Sequence, residues 1–163
     1  MANAQTVAAI QMVSGRDIEA NLREAAQLLQ LAVEAGAKIA VLPENFAVLS
    51  TSQMLAQGRE EAGDHATVRS FLADQAQSLG LWIVGGSLPL ASRPDGQTLE
   101  DRVRAVCLVF DDQGREVARY DKIHLFDATV DDAQRKALVE GVWDTTALMG
   151  ANANAVRETA RSL

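Results

Sequence analysis

Cysteine is nearly missing from this 163-residue chain, with Cys107 the only one. No internal disulfide can form, which suits a reducing compartment. Histidine is almost as scarce: His65 and His124 are the only two, and with a single thiol they offer no ligand set for zinc. Three prolines and eleven glycines leave no room for a Pro/Gly linker. No stretch reaches the roughly 18 apolar residues of a membrane span. Residues 1–9 lack the basic segment and apolar core of a signal peptide. Lysine and arginine total 15 against 22 aspartates and glutamates, a net charge of −7, and the cations occur at most in pairs. Phosphate-backbone binding needs clustered cations, so neither nucleic acid nor an anionic membrane is expected as a partner. The expectation is a soluble cytoplasmic protein.

What is present is an ordinary globular balance, 48% apolar and 23% charged, in a length that fits one domain. Residues 6–12 (TVAAIQM) read as a buried strand. From Asp17 the apolar residues Ile18, Leu22, Ala25, Leu29, Ala32 and Val33 recur at helical steps, and Gly36 ends the helix. Residues 38–42 (KIAVL) form a second strand, closed by Pro43. Short joints between these elements imply a parallel pair. Met54 and Leu55 suggest a short helix. Thr67 is placed to cap the next one, whose inner face is Val68, Phe71, Leu72, Gln75 and Leu79, with Gly80 as its stop. Residues 81–84 (LWIV) make a third strand. A turn-rich stretch around Pro94-Asp95-Gly96 comes next, then strands at 102–110 and 116–123 joined as an antiparallel hairpin. The order indicates a layered α/β protein with a mixed sheet. From Thr129 the strand pattern stops, and a loose helix or a disordered tail is expected for 129–163.

Four places could carry chemistry. Glu44 follows the C-terminal end of a parallel strand, where open α/β sheets bind ligands. Beside Pro43 and Phe46 it could act as a general base. Taken alone, the plainer reading, an exposed glutamate capping a turn, is the stronger. In residues 120–126 (YDKIHLF), strand alternation puts Tyr120, Lys122 and His124 on one face. A lysine there could stabilise an oxyanion, although a strand with one wet face explains the pattern more simply. His124 reads as a positioning or core histidine. Gly85-Gly86-Ser87 could present backbone N–H groups to an anion, and an ordinary turn explains it as well. Cys107 lies inside AVCLVF, where a thiol behaves as a small buried hydrophobe rather than a nucleophile.

Taken together, AAIQM, the helix containing Ala20-Asn21-Leu22, AVLPENF, IVGGSLPL, CLVFDDQG and RYDKIHLFD resemble the nitrilase superfamily of carbon–nitrogen hydrolases, most closely its amidase branch of deaminated glutathione amidase and omega-amidase. The pieces run in the family's order and fill residues 1–128 as the N-terminal part of such a domain. The resemblance implies an α/β fold, part of a four-layer α-β-β-α sandwich with a mixed sheet. It implies amidase-type hydrolysis of a small linear amide, with Glu44 as general base, Lys122 stabilising the tetrahedral intermediate, and no metal or organic cofactor. Asn45, Phe46 and His124, beside these two, are the candidates for substrate contact. Homo-oligomerisation is in keeping with the family.

Beyond residue 128 the sequence departs from the family. The nucleophile is expected in a segment of the type G-x-x-x-C-Y-D-x-R-F-P, yet no cysteine comes after Cys107 and no proline after Pro94. Glu140 is the nearby candidate for the family's second glutamate, in the wrong context. A truncation or frame disruption would leave such a pattern. The sequence is compatible with an amidase, with a non-catalytic remnant acting as a binding module, and with an unrelated doubly wound α/β domain. A sheet left without its second layer is also expected to expose a large apolar face and to self-associate.

Overall fold

The computed structural model describes residues 5–64 and 66–123, so the sequence expectations for His65, His124 and 129–163 lie outside the described residues. Within them, Asp17 accepts a hydrogen bond from the Ala20 N–H at 3.0 Å and starts α1 (Ile18–Glu34). The left-handed Gly36 ends it and leads into β2 (Ile39–Val41), which lies parallel to β1 (Val7–Ala9). Helices α2 (Thr51–Ala62) and α3 (Thr67–Leu79) come next, then β3 (Trp82–Val84), parallel to β2. The chain continues through β4 (Leu88–Leu90), β5 (Arg104–Phe110) and β6 (Glu116–Asp121), all antiparallel to their partners.

These strands form one six-stranded mixed sheet, in keeping with the expected α/β class. Val109 pairs with Val84 on one side and Ala118 on the other, and Val106 with Leu88 and Asp121. β3 and β4 are therefore successive stretches along one edge of β5, separated by the Gly85-Gly86 turn, and β6 lies on the other edge. Asp111 organises the β5–β6 turn by accepting from the N–H groups of Gln113 and Arg115, both at 3.0 Å. The Arg115 guanidinium bonded to the same carboxylate holds its pKa below the usual range.

Cross-strand partners share a face, so the register sorts the side chains. Ala40, Ile83, Val106, Leu108 and Phe110 face α1 and α3, packing against Ala25, Leu29, Leu72 and Ala76 in the main core. The row Val7–Ile39–Trp82 and the row Ala9–Val41–Val84–Val109–Ala118 point the opposite way. Val7, Trp82 and Tyr120 on that side are 55%, 42% and 58% exposed. The helices thus cover one face, as a sandwich half requires and a doubly wound sheet does not.

Three expectations need correction. Leu88–Leu90 is a strand, where the sequence pattern predicts none between residues 84 and 102. The helix around Met54 and Leu55 is long, twelve residues. Thr67 is not the cap of α3 but its first residue, and Ala66 at the cap position offers no side-chain acceptor. The buried Glu61, at the end of α2, supplies it: its carboxylate accepts from the Val68 N–H at 2.8 Å and the Arg69 N–H at 3.0 Å, with Gln57 Nε2 donating at 2.8 Å. One glutamate thus satisfies two of the free N–H groups that begin the next helix.

Burial pushes the Glu61 carboxyl pKa up, against the lowering effect of these donors. The folded chain therefore holds this proton more tightly than the unfolded chain does. The stability Glu61 contributes is largest at acid pH and falls as pH rises from the ordinary carboxylate range through the raised folded value. Glu61→Gln leaves one helix-start N–H unpaired and should cost about 1–3 kcal/mol. The gap between wild type and variant in denaturant unfolding should narrow as pH rises through that window; a gap that widens would refute the assignment. Gly86 has φ +57°, and a Cβ there would lie 2.0 Å from the Pro43 carbonyl oxygen. Gly86→Ala should cost upwards of ~2 kcal/mol, measurable by thermal unfolding, whereas Gly15→Ala, where a Cβ meets nothing within 4 Å, should cost far less.

Candidate functional site

Glu44 is placed by the extension of β2. Leu42 N–H donates to Val84 O at 2.9 Å, and Glu44 then bridges to Ser87 in parallel register. That approach is open only because Gly86 lacks a side chain. Asn45 turns the chain with φ +52°, a left-handed conformation that asparagine tolerates better than most residues. Its N–H donates to both the carbonyl oxygen and the Oγ of Ser87, each at 3.1 Å. Phe46 then enters the core, fully buried.

The far side of this loop is held from the start of α1. Ser14 Oγ donates to Phe46 O at 2.8 Å. Asn21 Nδ2 donates to Ala47 O at 2.8 Å and to Gly15 O at 3.0 Å, while the Gly15 N–H donates back to Asn21 Oδ1 at 2.9 Å. Asn21 is 4% exposed, and its amide joins two loops that sequence reasoning treated separately. The available signal was a polar residue within the apolar face of an amphipathic helix.

Lys122 is placed by β6. Its N–H donates to Ala105 O at 2.9 Å, continuing the β5–β6 register one residue past the strand. The preceding Asp121 is held between two arginines: Arg104 Nε lies at 2.5 Å and Arg119 Nε at 2.7 Å, and Arg119 also donates to Ser92 O at 2.7 Å. With Asp121 engaged in this way, Lys122 Nζ reaches instead across the sheet and donates to Glu44 Oε1 at 2.7 Å, between residues 78 positions apart. Both side chains are partly exposed, 37% and 40%. A carboxylate and an ammonium group in contact at an accessible place form a proton acceptor next to a fixed positive charge, the pair that acyl transfer to or from an amide uses.

The remaining candidates fall elsewhere. Asn45 and Phe46 adjoin Glu44, but the asparagine is tied to Ser87 and the phenylalanine is in the core. Gly85 N–H donates to Leu108 O and so is not free to receive an anion. Cys107 is half-buried in β5, in register with Tyr120, and burial pushes its thiol pKa up. No group of three metal-ligating side chains occurs among the described residues. No helix among them is long and apolar enough to cross a membrane. A shallow depression between α3 and the β5–β6 turn, lined by Arg69, Ser70, Phe110 and Glu116 among others, includes neither Glu44 nor Lys122.

Known proteins share this arrangement of sequence and sheet. The carbon-nitrogen hydrolase family matches residues 6–155, further than the matching motifs reach. Deaminated glutathione amidase of Synechocystis sp. is 36% identical over 126 residues, which are 77% of this chain and 44% of that protein. The chloroplastic omega-amidase of Arabidopsis thaliana is 30% identical over 117 residues, 70% of this chain and 30% of that protein. Among solved structures, a mutant amidase from Nesterenkonia sp. AN1, carrying acrylamide added at its active site cysteine, matches with a TM-score of 0.62 and 25% identity, over 77% of this chain and 46% of that one. The chain spans less than half the length of these relatives. With the family's match running through most of its length and a mixed sheet like that of a solved amidase, this chain belongs to the carbon-nitrogen hydrolase family.

Proposed function

We propose that this chain supplies the base-and-lysine part of an amidase site for a small linear amide, and that it holds no nucleophile of its own. The observation that carries the reading is the 2.7 Å contact between Lys122 Nζ and Glu44 Oε1. In the reaction this pair would serve, Glu44 takes the proton of an attacking thiol and Lys122 stabilises the oxyanion formed at the amide carbonyl. Ammonia leaves, and water, again activated by Glu44, hydrolyses the thioester. The relative from Nesterenkonia sp. AN1 has an active site cysteine; here the single cysteine is Cys107. Its place within a strand, and a burial that disfavours the thiolate, argue against it as that nucleophile.

Asn45 and Phe46 are assigned to holding the Glu44 turn rather than to touching substrate, because one is bonded to Ser87 and the other is buried. The scarcity of cysteine favours a reducing cytoplasm. The exposed sheet face around Trp82 favours association with a further polypeptide surface, another copy of this chain included.

Loss of a nucleophile from a covalent mechanism costs on the order of a millionfold in turnover. The purified chain should therefore release no more ammonia from butyramide than its Glu44→Gln variant does. Ammonia release that disappears in Glu44→Gln would overturn the claim of a missing nucleophile, and its further loss in Cys107→Ala would name the attacking thiol. The ion pair itself should matter little to stability. Partly exposed pairs contribute less than about 1 kcal/mol, so Lys122→Met should shift denaturant unfolding by no more than that. A much larger shift would mark the pair as a structural strut rather than a reactive one.

A further inference from the structure

We infer that Ser87 is a positioning residue for Glu44, acting through the turn at Asn45; the inference rests on the reading of Glu44 and Lys122 as a reactive pair. Ser87 belongs to a different strand segment from Glu44, and it is 9% exposed. Both of its oxygens accept from the Asn45 N–H at 3.1 Å, and its Oγ lies 3.5 Å from Asn45 Oδ1. Asn45 is the one non-glycine residue with positive φ among the described residues. A left-handed residue immediately after the proposed base needs an external hold, since such a conformation disfavours itself in a free chain.

The hold is two-sided in backbone terms. Gly86 also has positive φ and passes so close to Pro43 that no Cβ fits. The two turns, Pro43-Glu44-Asn45 and Gly85-Gly86-Ser87, are thus interlocked, and Glu44 stands between the close contact at Pro43 and the hydrogen bonds at Asn45. The backbone of Glu44 cannot rotate without breaking one or the other. Its side chain can then meet Lys122, which β6 fixes separately through Asp121. The hydrogen bonds of Ser87 go to Asn45 rather than to the Lys122 ammonium group, so its effect is on the direction in which the carboxylate points.

The position of Glu44 can be read without turnover. A water-soluble carbodiimide activates a carboxylate, and an adjacent lysine amine displaces the urea to leave an amide. In the folded wild-type chain this should join Glu44 to Lys122, detected as a cross-linked peptide pair by mass spectrometry and absent from Glu44→Gln. Ser87→Ala removes one of the two acceptors of the Asn45 N–H and leaves the carbonyl oxygen in place, so it should lower the yield of that pair about twofold, the low end of what a lost hydrogen bond produces. Ser87→Thr, which keeps the hydroxyl, should restore it. Circular dichroism confirms that each variant is folded under the labelling conditions, and amide exchange at Asn45 should quicken in Ser87→Ala. Wild-type yield in a folded Ser87→Ala, or a yield in Ser87→Thr as low as in the alanine variant, would overturn the positioning role alone. Absence of the Glu44–Lys122 pair from the wild type would overturn the reactive pair and this inference with it.

Discussion

Burial of one side of the sheet against α1 and α3 is the constraint on which the rest depends. Ala40, Ile83, Leu108 and Phe110 are all buried on that side. Because side chains alternate along a strand, a slip of one residue would turn any of these rows outward. The same burial therefore fixes the opposite row and the ends of the strands. Glu44, just beyond β2, and Lys122, just beyond β6, meet only if β3 and β4 along β5, and β5 along β6, all hold their register. Core packing on one face thus sets a charge contact on the other side of several strands, with no large contribution from the charges themselves.

Much of this was legible in the sequence because it is local. The helical spacing of Ile18, Leu22, Ala25 and Leu29 reports a face, and the apolar runs at 38–42 and 81–84 report strands. Asp17 and Gly80 mark helix ends in a way that needs no knowledge of the fold. Glu44 and Lys122 stood out through the strings around them. Their meeting was expected only through the family resemblance, since no local rule brings together residues 78 apart. What was missed has the same origin. Glu61 caps α3 from the preceding helix, so a search for a capping residue just ahead of α3 settles wrongly on Thr67. Pro89 tolerates strand geometry because β4 pairs with β5 as a short stretch beyond a turn, where the lost N–H need not break a ladder on both sides. Asn21 looks like a polar interruption of a helix face until the loop it binds is in place.

The apolar face opposite the helices gives the site its setting. Glu44 and Lys122 lie at the margin of a surface that carries Val7, Trp82 and Tyr120 in exposed positions. Apolar area of this kind is normally covered, and a cover would also shield the ion pair from water. Charges in contact gain strength as the local dielectric falls. Without such a cover the pair is partly open to solvent and ordinary in energy. A layer laid over the face would turn the same two groups into a stronger electrostatic device without moving either.

A nucleophile for such a pair must meet two conditions that Cys107 does not. It needs a backbone that presents it outward, from a turn or a helix start, and surroundings that favour the thiolate. Cys107 sits within β5, its neighbours Val106 and Leu108 fully buried on the helix side, and burial moves its thiol toward the protonated form. A strand residue held in the β5–β6 ladder cannot advance on a substrate without disturbing the register that aligns Glu44 with Lys122. On the proposed reading, the same rigidity that holds Glu44 against Lys122 works against an attack by the thiol lying between their strands.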